Sequence, residues 1–312
     1  MATFERIARP TAAEYEQAAE VCYARFPYQR ALDSPERFRV FGILGVELAV
    51  MRHQDGSFRC VAFLLPSELQ IVGEQGETLR WHYMFQVASL PGVPGAGALL
   101  VRQIMQWYPA IFGMGITTDA EKLYQAFRWQ HYDGFWRGVH PIDLSRMVAD
   151  YGSRLVSPAA RSLLRAFSGV YNFASIPMEW LLAFGRSATP VSAQPGISRG
   201  AGKASLVASY LRLFECGPIR AADVGGMARL LSPPETGSLM HHAALWRSLR
   251  KIDAKACEML LVSPASRRRA MRLGYVPLAL QVYCWDKGGV LAKAIPILKQ
   301  RGLTFLDTDK TV

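Results

Sequence analysis

The sequence predicts an α/β protein of the α+β kind, with mixed sheets distributed over two domains. Three observations carry this. Its 312 residues exceed what one hydrophobic core of ordinary size organises, so two domains is the first expectation. Half of the residues are apolar, enough surface to offset the ordering entropy of a fully folded chain. The apolar period also changes along the chain, from helical near the N-terminus to strand-like between residues 47 and 90, and then back to helical.

The elements follow in order. Residues 5–9 (ERIAR) read as a strand, and Thr11 caps a helix through Tyr15 to Phe26, with Glu14 completing a capping box. A second helix spans Ser34 to Gly45, opened by Ser-Pro-Glu with proline at the first helical position. Glu47–Arg52, Phe58–Leu65, Glu68–Val72 and Arg80–Leu90 are apolar or β-branched runs separated by turn residues, an antiparallel meander. The last run ends in Leu90-Pro91-Gly92-Val93-Pro94-Gly95-Ala96-Gly97-Ala98, and an amphipathic helix continues through Met105 and Trp107. A glycine-rich turn between a strand and a helix lets backbone N–H groups face inward, and the helix N-terminus adds its positive end, so the segment suits a phosphate. The spacing is neither GxGxxG nor GxxxxGK[ST], which excludes the dinucleotide fingerprint and the nucleoside-triphosphate loop. Ile111–Thr117 then reads as a strand, Asp119–Phe127 as a helix, and Gly134–Ile142 as a strand closing the first domain.

This order of elements, together with two motifs, resembles the GNAT superfamily of N-acyltransferases. That family binds the coenzyme A pyrophosphate on a Q/R-x-x-G-x-G/A turn, and Gly92-Val93-Pro94-Gly95-Ala96-Gly97 stands in its place. It ends the next helix on a pattern like LYxxxGF, matched here by Leu123-Tyr124-Gln125-Ala126-Phe127-Arg128-Trp129. Gly92 replaces the family's Gln or Arg, and Arg128 replaces its glycine. The resemblance implies acetyl-CoA or another acyl-CoA as donor, held at Val87, Ala88, Gly92, Val93, Gly95, Ala96, Gly97 and Ala98. Val87 or Ala88 would bind the thioester carbonyl through the backbone, and Tyr124 would assist the leaving thiolate. His82 is the candidate base; strand alternation puts it on the same side as Gln86. No metal is expected.

Met259–Trp285 can be laid on Met114–Arg137, with Tyr275 on Trp129 and Gly274 on Arg128, which predicts a degenerate second copy without its own phosphate turn. The expected domains are therefore 1–145, a GNAT-like acyl-CoA-binding domain; 146–202, a helical connector ending in a Ser/Pro/Gly-rich linker near 187–202; and 203–312, the second GNAT-like domain. The run Leu163–Phe184 is broken by Arg165, Asn172, Pro177 and Glu179, so it reads as a core or interface helix, not a membrane span.

Charge is uneven. Residues 1–145 carry 13 Lys+Arg against 15 Asp+Glu and residues 146–312 carry 23 against 10, that is −2 and +13. The basic half points to an anionic partner, with an acidic carrier protein as the candidate; no motif points to nucleic acid. Five cysteines without ligand spacing read as free core thiols, and with no export signal visible the expected location is the cytoplasm. The expected function is N-acyl transfer, most simply acetyl, to a small-molecule or peptide amine. The alternatives are a catalytically silent scaffold of the same fold and an aminoacyl or carrier-protein-dependent transferase.

Overall fold

A computed structural model describes residues 3–26, 38, 41–42, 44–70, 77–116, 118–148, 158–191, 212–224, 226–232 and 236–301. Most of the helix expected at 34–45 lies outside them.

Thr11 behaves as its position predicts. Its hydroxyl accepts the Glu14 N–H at 3.3 Å, and the Glu14 carboxylate accepts the Thr11 N–H at 2.8 Å, so two donors at the start of α1 (Ala12–Arg25) are satisfied. The preceding strand is β1 (Thr3–Ile7), and β2 (Glu47–Arg52), β3 (Phe58–Gln70) and β4 (Thr78–Ser89) form the meander. The sequence splits β3 at Pro66-Ser67, yet the strand runs through. β2 pairs with β3 only as far as Glu47 opposite Leu64, so the N–H that Pro66 lacks has no strand to donate to.

The first sheet continues through α2 (Ala96–Trp107), β5 (Ala110–Met114), α3 (Thr118–Ala126) and the short β6 (Gln130–His131). Its strand order is β1-β2-β3-β4-β5-β14-β6, with β14 formed by Val282–Asp286. The strand expected to close it, β7 (Trp136–Pro141), pairs instead in the second sheet. Its place is taken by β14 (Val282–Asp286), which pairs antiparallel along the whole of β5. The first compact unit thus comprises residues 1–135 and 280–301, including α7 (Val290–Arg301). On one face of this sheet Ala49, Cys60, Met84, Leu100 and Ile104 pack with Tyr124 and Trp129.

The second unit spans 136–279. It contains β7, α4 (Pro158–Leu182), β8 (Thr189–Val191), β9 (Arg212–Cys216), β10 (Ile219–Val224), β11 (Met227–Leu230), α5 (Leu239–Arg250), β12 (Ala256–Leu261), α6 (Pro264–Arg272) and β13 (Val276–Ala279). Its strand order is β8-β9-β10-β11-β12-β7-β13, the order of the first sheet with β7 in the position of β14. In both sheets the fourth and fifth strands are parallel. Of the linker expected at 187–202, the described part includes β8, which pairs with β9. All five cysteines are free and buried.

Candidate active site

The glycine turn between β4 and α2 is open. Gly92 and Gly95 take left-handed backbone angles of 84° and 74°, which an L side chain adopts only at a cost. A Cβ added to Gly95 or Gly97 would meet nothing within 4 Å. Gly95 is the N-cap of α2, no side chain caps the helix, and no acidic residue stands in its first turn. The first-turn N–H groups of Gly97 and Ala98 are therefore left without a capping side chain at an uncrowded helix start, as an anion would need.

Immediately before the turn β4 is irregular. Val61 pairs with Ala88 and Phe63 with Phe85, so Gln86 and Val87 together oppose Ala62. This is a β-bulge, and Gln86 sits at φ 55°, a left-handed value uncommon for a side-chain-bearing residue. The bulge breaks the alternation that would have put His82 and Gln86 on one side. β4 and β5 pair only at His82 with Ile111 and at Tyr83 with Phe112. The pairing ends there, and Val87 and Ala88 lie beyond it, past the residues of β4 that face β5.

Tyr124, on α3, is buried and stacks on Trp129 with ring centroids 4.5 Å apart. Burial holds its phenol above the ordinary value, so it stays protonated through neutral pH. Among the described residues its hydroxyl has no hydrogen-bond partner. Arg128, in the place of the family's glycine, keeps that residue's backbone conformation at φ 59°, and the Trp129 N–H closes the helix on the Tyr124 carbonyl at 2.9 Å. A residue that sequence reasoning assigned elsewhere completes this corner. Tyr283, from β14, lies 6.0 Å from the Tyr124 ring, donates to Glu121 Oε1 at 2.9 Å and accepts from Gln125 Nε2 at 3.1 Å.

His82 belongs to a different cluster, and no ion pair or ring contact links it to Tyr124. Its Nε2 is 3.8 Å from Glu47 Oε1 and its ring lies 4.1 Å from that of Tyr108. Arg6 donates to both Glu47 oxygens, at 2.9 and 3.1 Å, and the Tyr108 hydroxyl donates to the same carboxylate. Burial alone would raise the Glu47 carboxyl, but the hydrogen bonds from His82, Arg6 and Tyr108 outweigh it and lower it to about 2. Neither Glu47 nor its partners form a recognisable motif; they lie on β1, β2, β4 and the C-cap of α2 and meet only on folding.

The corresponding corner of the second unit is closed. α5 is capped by Ser238 with His241 in the third position, whose ring Nδ1 lies 2.9 Å from Ser238 Oγ. A Cβ on Gly237, just before the helix, would fall 2.6 Å from Ile219 Cδ1. His140 stacks on Trp246 at 3.6 Å and donates from Nδ1 to the Gly274 carbonyl at 2.9 Å, while His242 Nδ1 lies 3.0 Å from the Tyr275 hydroxyl. Burial pushes both imidazoles down to about 4, so they are neutral packing groups at pH 7. The three arginines of α6 are spread out: Arg267 covers the Trp136 ring at 5.4 Å and Arg269 donates to the Gly237 carbonyl at 3.2 Å.

A candidate acetyltransferase from Pyrococcus horikoshii superposes on 90% of this chain and 88% of its own, with 10% identity and a TM-score of 0.50. The chain has the GNAT fold. A GCN5-related N-acetyltransferase from Kribbella flavida aligns over 90% of this chain and 71% of its own at 13% identity, with a TM-score of 0.39. The GCN5-related glucosamine N-acetyltransferase region of a fungal multi-domain β-N-acetylglucosaminidase aligns over 91% and 38% at 9% identity, with a TM-score of 0.47. No family model and no curated protein matches the sequence. The early end of the β4–β5 pairing, the bulge and the glycine turn all lie in the first unit.

Proposed function

We propose that the first unit transfers an acyl group, most simply acetyl, from a coenzyme A thioester to the amine of a small molecule or peptide. The observation that carries this reading is the early end of the β4–β5 pairing, followed along β4 by the bulge at Gln86-Val87 and then by the open turn at Gly92–Gly97. Pyrophosphate would accept hydrogen bonds from the N–H groups of Gly95, Gly97 and Ala98, with Gly92, Val93 and Ala96 shaping the turn. The pantetheine arm would enter between the strands as an added partner for β4. A backbone N–H of Val87 or Ala88 would then polarise the thioester carbonyl, a role no side-chain change can remove.

As the amine adds and the C–S bond breaks, negative charge collects on sulfur and Tyr124 donates a hydrogen bond to it. Because burial raises that phenol, its contribution is a hydrogen bond to the departing thiolate more than complete proton transfer. His82 is five residues before Val87, about 16 Å along an extended strand, so it would take the amine proton through intervening water, and the Glu47 carboxylate 3.8 Å away would stabilise the resulting imidazolium. The second unit, with its helix start capped by its own side chains, is assigned no transfer chemistry.

The test is a thiol-release screen of amines, amino sugars and peptide N-termini with acetyl-CoA. Release that depends on one acceptor class supports transfer. Binding of coenzyme A with no release for any acceptor would leave the fold serving as a scaffold and would reject the catalytic reading.

A further inference from the structure

Helix α4 is docked inside out. Its polar side chains face the second unit: Tyr171 donates to the Pro141 carbonyl at 3.0 Å, Asn172 accepts the Leu144 N–H at 3.1 Å, and Ser168 lies 3.0 Å from Ser145. Glu179 is buried and takes two hydrogen bonds from Arg250, one of them from Nε at 3.1 Å. Its large apolar side chains point the other way. Val170 is 64% exposed, Phe173 82% and Leu181 78%, with Phe167 and Trp180 more than half exposed, and Phe184, two residues past the helix end, is 89% exposed. From Ala166 to Phe184 the only charged residue is Glu179, so the outward face carries no charge at all.

An ordinary surface helix shows the opposite arrangement, and a monomer rarely exposes a continuous apolar patch above roughly 300–600 Å². We propose that this face is the seat of a membrane-surface contact, with α4 lying in the headgroup layer of an anionic lipid leaflet. Charge selects the occupant. Residues 136–279 carry 19 Lys+Arg against 8 Asp+Glu, a net +11 that equals the net charge of the whole chain. A second copy would bring an equally basic unit against this one, whereas anionic headgroups complement it. The arginines stand at the margin of the apolar face: Arg186 follows it in sequence, and Arg247 lies over the Trp180 ring at 4.8 Å. Aromatic and aliphatic residues on one side with arginines at the edge is the composition of an interfacial helix. No helix among the described residues is long and apolar enough to cross a membrane, which leaves an in-plane position for this one.

The experiment is co-sedimentation of the full chain with vesicles of phosphatidylcholine and phosphatidylglycerol in equal parts, and with vesicles of phosphatidylcholine alone. The expected result is pelleting with the anionic vesicles that weakens with salt and drops at least about tenfold for the double variant Phe173→Glu/Phe184→Glu. Both positions are solvent-facing, so circular dichroism should be unchanged; Phe173→Ser/Phe184→Ser serves as the milder pair if it is not. Wild-type protein that stays in the supernatant, or glutamate and serine variants that both pellet like wild type, would overturn the proposal. So would a dimer, measured by light scattering, that either double variant dissociates, since a second copy would then own the face.

Discussion

At the scale of single residues, the candidate site turns on Tyr124 and Arg128, four residues apart at one helix end but with separable consequences. Tyr124→Phe removes a hydroxyl and keeps the ring stacked on Trp129, so fold and coenzyme A affinity should be preserved while kcat falls by about 10²-fold. The deficit should shrink with an acyl thioester of a more acidic thiol, because a better leaving group needs less help; wild-type kcat in this variant would remove Tyr124 from the reaction. Arg128→Gly tests the backbone instead. A left-handed arginine costs about 1–2 kcal/mol, and glycine returns part of that to the unfolded chain, so a net stabilisation of about 0.5 kcal/mol is expected in chemical denaturation. Both residues were legible in the sequence because a helix end is a local object. Glu47, Arg6 and Tyr108 were not, since four separate elements bring them to His82 and nothing local marks a buried carboxylate.

Among the elements, capping boxes and strand runs were read from neighbouring residues, and Thr11 with Glu14 shows why: their bonds span three positions. The β4 bulge escaped, because it is a mismatch between paired strands and appears in neither strand alone. The same contrast separates the two helix starts after a fourth strand. α2 begins in open space, whereas α5 begins capped by Ser238 and His241, with Ile219 packed against Gly237 just before it. Polar networks beneath these elements make acid sensitivity predictable. The Glu47 carboxyl is lowered from 4.5 to about 2, so its contribution is present above pH 4.5 and lost as pH falls toward 2. His140 and His242 are lowered from 6.5 to about 4, so the stability they lend is complete above pH 6.5 and lost as pH falls toward 4. Acid titration should therefore destabilise the second unit first, with the change in Trp246 emission preceding loss of the Glu47 cluster. Simultaneous loss of both near pH 3 would contradict the assignment of two neutral buried histidines.

For the whole molecule, the sequence predicted a second copy of strand, helix and strand, and it could not show which sheet each final strand joins. An apolar run specifies a strand; its partner is decided by contacts across more than 100 residues. β14 pairs along all of β5 and brings Tyr283 beside Tyr124, so a fragment of residues 1–145 lacks an interior strand of its own sheet. That fragment should fail to give a cooperative unfolding transition by circular dichroism, and a well-folded fragment would show that β14 is dispensable. The central claim, an acyl-coenzyme A site in the first unit alone, is tested most directly by calorimetric titration of coenzyme A into the intact chain and two variants. Gly97→Asp suits the purpose, because Gly97 has no left-handed angle, an added Cβ meets no atom within 4 Å, and an acid in a first helical turn favours the helix. The account predicts binding by wild type, a loss of at least about tenfold in Gly97→Asp from like-charge repulsion, and unchanged affinity in the Arg267→Gln/Arg268→Gln/Arg269→Gln variant. Undiminished affinity in folded Gly97→Asp, or lost affinity in the arginine variant, would place the donor elsewhere and contradict it.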